Sequence, residues 1–167
     1  MIDEQIRSLI EKVINDGINR DEWDLNELNR ILLDEIPMKP VTEDYLEQHS
    51  IKTVSDLEDR LIEDAYELYD QKEAEAPEEV DFHEIERVVL LRAIDQHWME
   101  EIDNMEQLRQ SIGLQAYGQR NPIDEYKAQS YEMMDDMNEA IRHDTVMMMF
   151  RVRFEKQIER EEVAKPT

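Results

Sequence analysis

Few groupings in this sequence have the residue types and spacing that chemistry needs. Gly113-x-x-x-x-Gly118 has the glycine spacing of a phosphate-binding loop, but Gln119-Arg120 stands where Lys-Ser/Thr is required. It also follows a helical pattern rather than a strand, so the cradle of backbone N–H groups that holds phosphate is absent. The four histidines (His49, His83, His97, His143) are scattered, with no Glu-x-x-His or His-Glu-x-x-His spacing, and there is no cysteine. Zincin, diiron-bundle and thiolate metal sites are thereby excluded. His97 and Glu101, four apart, read as a solvated helix pair rather than as metal ligands. The carboxylate pairs Glu100–Glu101 and Asp135–Asp136 are adjacent in sequence, point apart, and make no acid/base dyad. The chain is expected to be neither an enzyme nor a cofactor binder.

One window stands out for what it lacks. From Gln107 to Ile123 there is no acidic residue, although acids make up about one residue in four of the chain, and Arg109 and Arg120 make the window net positive. Its centre, Gly113–Asn121, holds Leu114, Gln115, Ala116, Tyr117, Gly118, Gln119 and Arg120. An exposed aromatic flanked by uncharged groups can touch polypeptide without charge repulsion. Alternatively, Leu114 and Tyr117 fold back and cap a hydrophobic seam.

The elements that position this window are two long helical patterns, spanning Glu84 to Val152 and broken once. Leu91, Ile94, Trp98, Ile102, Met105, Leu108 and Ile112 recur at three and four residues and predict one face of a helix of about 29 residues, roughly 43 Å long. Gly113 follows as an expected C-cap. Asn121 as N-cap with Pro122 at the first helical position starts the return helix. The return stripe is Ile123, Tyr126, Ser130, Met133, Met137, Ile141 and Met148. Nine connecting residues predict an antiparallel hairpin with stripe against stripe.

Upstream, Ile2, Ile6, Leu9, Ile10 and Val13 mark a helix expected to stop at Gly17. Asp24 caps a second helix through Leu25, Leu28, Ile31 and Leu32, with Trp23 packing back on it. A short helix follows from Thr42 to about His49. Thr53-x-x-Asp56 then opens a longer one, through Leu57, Leu61 and Ala65. Glu73–Asp81 reads as an acidic linker, and Lys156–Thr167 as a loose tail. With 3 Gly and 5 Pro, the composition is that of an all-α protein.

The charge sets further limits. The chain carries 43 Asp+Glu against 19 Lys+Arg, a net −24, with 25 acids and 8 bases in the first 83 residues. Polyanions, nucleic acid and anionic lipid among them, are therefore poor partners. The longest apolar runs, Val88–Leu91 and Val146–Phe150, fall far short of the ~20 residues that span a bilayer.

The stretch Glu86–Met134 carries a specific set of motifs: Trp98, Met105-x-x-Leu108-Arg109-Gln110, Ile112-Gly113-Leu114, Ala116-Tyr117-Gly118-Gln119, Pro122 and Glu125-Tyr126-Lys127. In these it resembles the C-terminal region of the SecA family, the ATPases that drive preproteins through the SecY channel. The part from about Ile14 to Val80 resembles, more weakly, the family's helical wing domain. The resemblance implies an all-α piece of that motor. Residues 1–16 would end a scaffold helix, 17–81 form the wing domain and acidic linker, 82–155 the two-helix finger of the helical scaffold domain, and 156–167 a tail. It implies that residues 114–120, Tyr117 above all, touch preprotein and channel, and that the hairpin restrains the ATPase motor. ATP and Mg would belong to that motor, and the family's cysteine-containing zinc tail is not in this sequence. The implied partners are the SecY channel, the preprotein and the parent's motor domains, with self-association also open. The implied location is the cytoplasm, with peripheral attachment at the inner membrane through the channel. A different class remains: a free-standing helical adaptor that pairs through an unsatisfied stripe.

Overall fold

The computed structural model describes residues 1–15, 17–115 and 121–154, with the Gln115 side chain left aside. Among them are six α-helices, a single 3₁₀ turn (Arg20–Glu22) and no strand. The helices are α1 (Ile2–Val13), α2 (Leu25–Glu35), α3 (Glu43–Gln48), α4 (Val54–Ala74), α5 (Phe82–Gln115) and α6 (Pro122–Arg151). The expected tail, 156–167, lies outside the described residues.

Helix starts follow local chemistry. Asp24 accepts a bond from the Glu27 N–H at 3.0 Å, and Thr42 accepts from Tyr45 at 3.2 Å. Thr53 and Asp56 form a reciprocal capping box, with bonds of 3.1 and 3.0 Å. Asn121 accepts from Ile123 at 3.1 Å, with Pro122 next. Asp81 accepts from the His83 and Glu84 N–H groups, so α5 begins two residues before the expected Glu84.

Helix ends differ from expectation. Helix α1 ends at Val13, and its cap is Ile14 in extended conformation. Gly17 does adopt φ +91°, but beyond the helix, in the turn that follows. Gly113 is not a C-cap, because α5 continues through it to Gln115. Its φ is not positive, and the cost of a helical glycine, about 1 kcal/mol, is not enough to end a helix whose preceding turn is held by Leu108 and Ile112. Helix α5 is therefore 34 residues and about 51 Å long.

Helices α1 to α4 share one core, built from Ile6, Leu9, Ile10, Leu28, Leu32, Leu46, Leu57 and Leu61, with Trp23 at its edge. The hairpin α5–α6 joins that core through the buried side chains of Val146 and Phe150. Tyr69 of α4 stacks edge-on against Phe82 at 5.5 Å and Phe150 at 5.6 Å, and donates to Glu86 at 2.6 Å. Burial and that carboxylate push the Tyr69 phenol up.

The seam of the hairpin departs from the expected stripe between Leu91 and Ile102. Leu108 and Ile112 on α5 and Met137 on α6 are buried, while Ile94, Met105, Tyr126, Met133 and Ile141 are half-buried. Leu91, Trp98 and Ile102 are not seam residues; they are 45, 50 and 56% exposed. Their places are taken by Ala93, His97 and Glu101, which continue the helical spacing back from Leu108. The reason is polar. His97 Nε2 pairs across the hairpin with Asp144 Oδ2 at 2.7 Å, and His143 Nδ1 with Asp144 Oδ1 at 2.9 Å. This corrects the expected His97–Glu101 pair. Burial pushes the Asp144 carboxyl up, but the bonds from His143 and His97 outweigh it and hold the group below its ordinary value.

Two outcomes follow from the seam. Leu108, 6% exposed, replaced by Asp should cost several kcal/mol, about 3 or more, whereas Ile102→Asp should change stability by about 0.5 kcal/mol or less. Urea unfolding of both variants checks this, and equal losses would mean the seam lies elsewhere. A carboxylate held low stabilises the fold above its ordinary range, and that contribution is lost as pH falls through the lowered value. The urea midpoint should therefore fall on acidification, and by less in Asp144→Asn. An identical drop in the variant would contradict the pairing.

Candidate functional site

Because Leu91, Trp98 and Ile102 are exposed rather than in the seam, the hairpin carries an apolar surface that nothing among the described residues covers. It includes a groove of about 490 Å³ between the two helices, in the half far from the core. Trp98, Ile102 and Met105 come from α5; Tyr126, Ser130, Tyr131 and Met134 come from α6. Helical spacing explains the grouping: 98, 102 and 105 fall on one face of α5, as do 126, 130 and 134 on α6. Val88, Met99 and Ile123 are further exposed apolar residues on the hairpin outside the groove. Scattered exposed apolar residues are ordinary, but an apolar groove lined by Trp98, Tyr126, Tyr131, Met105 and Met134 is a candidate contact surface.

Polar groups frame the groove sparingly. Ser130 donates its hydroxyl to the Tyr126 carbonyl at 2.6 Å, so it offers little to an outside ligand. Arg109 grips Glu106 in a two-pronged pair at 3.0 and 2.7 Å, and Gln110 adds a third bond to the same carboxylate. The guanidinium beside it holds the Glu106 carboxyl below its ordinary value. Glu101 lines the floor, 8% exposed, and its Oε1 has no hydrogen-bonding partner. A buried carboxylate with an unpartnered oxygen is costly, and its position here was not read from the sequence. No break in the apolar spacing signals it, since Trp98, Ile102, Met105 and Leu108 follow one another at three and four residues.

The rest of the expected site divides cleanly. Leu114 is in the last turn of α5 and largely exposed, and Gly113 and the Gln115 main chain belong to that helix. Asn121 and Pro122 begin α6 as expected. Ala116, Tyr117, Gly118, Gln119 and Arg120 lie outside the described residues. Among the described residues no group of His, Asp and Glu has a metal-binding arrangement, and no helix is long and apolar enough to cross a membrane.

Comparison with known proteins agrees with this architecture. Residues 1–153 match the family described as "SecA Wing and Scaffold domain". The chain is 50% identical over 169 residues to the protein translocase subunit SecA of Lachnoclostridium phytofermentans, covering 100% of this chain and 19% of that protein. It is 39% identical to the subunit of the same name from Finegoldia magna, over 98% of this chain and 18% of the relative. It is 33% identical to protein translocase subunit SecA 1 of Thermobifida fusca, over 89% of this chain and 16% of the relative. The chain thus spans about a fifth of the length of the relatives it matches.

Proposed function

The chain belongs to the SecA wing and scaffold family, and on that premise we propose that it serves protein translocation as a non-catalytic arm, with its hairpin presenting a contact surface to the moving polypeptide and to the SecY channel. The observation that carries this reading is the uncovered apolar face of the hairpin's far half. It adjoins the acid-free window Gln107–Ile123, on a chain of net charge −24. A surface that handles many different segments must avoid strong charge preference and must adapt its shape. Met105, Met134, Trp98 and Tyr131 meet both needs, since thioethers repack easily and aromatic rings offer large contact area with few rotatable bonds.

The rod makes such contacts mechanically useful. Two long helices packed along Leu108, Ile112 and Met137 transmit displacement between the core end and the tip. The same connection lets the hairpin restrain the nucleotide-hydrolysing motor, which in this reading occupies the part of the relatives beyond this chain, together with its ATP and Mg. Tyr117 is the proposed tip contact, with Leu114, Gln115, Ala116, Gly118, Gln119 and Arg120 around it. Such a protein works at the inner membrane from the cytoplasmic side, held by the channel rather than by a span of its own.

The test is site-specific cross-linking in the full-length motor stalled on a preprotein. Tyr117→Cys carrying a short photo-reactive group should label the preprotein strongly, and Tyr131→Cys measurably. A label placed at Glu47, on the far side of the core, should give none. Labelling at Glu47 but none at Tyr117 would refute the tip assignment.

A further inference from the structure

The boundary between the hairpin and the core of α1, α2 and α4 changes character along its length. At its base, Val146 and Phe150 sit within that core and Phe150 meets Tyr69 edge-on. Towards the tip the boundary continues through charged and amide groups. Gln5, only 1% exposed, donates Nε2 to Glu35 Oε2 at 2.7 Å and accepts at Oε1 from Arg142 Nε at 3.3 Å. His143 Nε2 faces the other Glu35 oxygen at 3.1 Å. Furthest out, Lys12 Nζ pairs with Glu139 at 2.8 Å, with Ser8 Oγ at 3.4 Å from the same oxygen. The pairings 5–142 and 12–139 run α1 antiparallel to α6, so they form one line leading away from the base.

The two ends differ in what separation costs. Parting Val146 and Phe150 from the core exposes apolar area to water, and no solvent contact replaces what is lost. Parting the polar pairs exchanges each partner for water, which can bond Gln5, Glu35, Lys12 and Glu139 in turn, so the net loss is small. The base also carries polar bonds, from Arg151 to the Asp34 carbonyl at 2.8 Å and from Lys72 to the Val152 carbonyl at 2.7 Å, but they sit beside the apolar contact of Val146 and Phe150, which the outer boundary lacks. His97 of α5 bonds Asp144 of α6, which ties the two helices together at the same level, so the hairpin moves as one piece.

We propose that the core swings on the hairpin, with the contact of Val146 and Phe150 as pivot and the pairs Glu35–His143, Gln5–Arg142 and Lys12–Glu139 as a latch that opens and closes. This inference does not rest on the channel reading. It assigns the boundary a conformational role whatever the hairpin tip touches.

The chain has no cysteine, so spin labels can be placed cleanly at Glu47→Cys in the core and Asp135→Cys on the hairpin, both exposed positions. Pulsed dipolar spectroscopy of the otherwise native chain should give one narrow distance. Glu35→Ala, and separately Lys12→Glu at the solvent-facing end, should each add a shifted second population at unchanged helix content. Val146→Ala should lower the thermal midpoint without adding that population. An unchanged distribution in both latch variants would overturn the proposal, as would loss of helix content in both. A second population appearing in Val146→Ala alone would overturn the assignment of the pivot.

Discussion

The structure depends on one insertion: Val146 and Phe150 of α6 entering the core made by α1, α2 and α4. A pair of helices can bury only the sides that face each other. Every other apolar residue must find cover elsewhere or stay exposed. The base of the hairpin finds that cover in the core, and the far half finds none among the described residues. The exposure of Trp98, Ile102, Met99 and Tyr131 follows from that geometry. The groove at Trp98 is a consequence of where the insertion stops.

Charge divides the molecule along the same axis. Acidic residues crowd the first 83 positions, where they form a solvated shell around a small core. Where the core meets the hairpin beyond the base, these charges are used in pairs: Glu35 with His143, Glu139 with Lys12. Past Gln107 they are absent until Asp124. The molecule therefore changes from a strongly acidic, packed end to one whose turn region is free of acids and flanked by exposed apolar residues. In the proposed role of a contact arm that polarity has a use, since an arm is anchored at one end and free to make contacts at the other.

Much of this was legible in the residues, and the failures have a common cause. Helix starts at Asp24, Thr53 and Asn121 were readable because a cap is a bond between neighbours in sequence. Helix stops at Gly17 and Gly113 were misplaced because a glycine permits an ending without requiring one, and packing decided. Leu108, Ile112 and Met137 were readable as seam because the apolar spacing there has no competitor. Nearer the core, the seam is made by Ala93, His97 and Glu101, and His97 belongs there only because Asp144 lies opposite, 47 residues away. No local pattern carries that information. Apolar spacing instead followed the face that stays open, and that face is the candidate site.

Hydrogen exchange along the hairpin tests the central claim most directly, since it reads how far the anchoring reaches. Amides of α6 from Met137 to Phe150 should exchange as slowly as those of α1 and α4. Those from Ile123 to Met134, and their neighbours on α5 from Trp98 to Glu106, should exchange on the order of tenfold faster or more. Uniform slow exchange from end to end would contradict the account, because it would require the far half to be as well buried as the base.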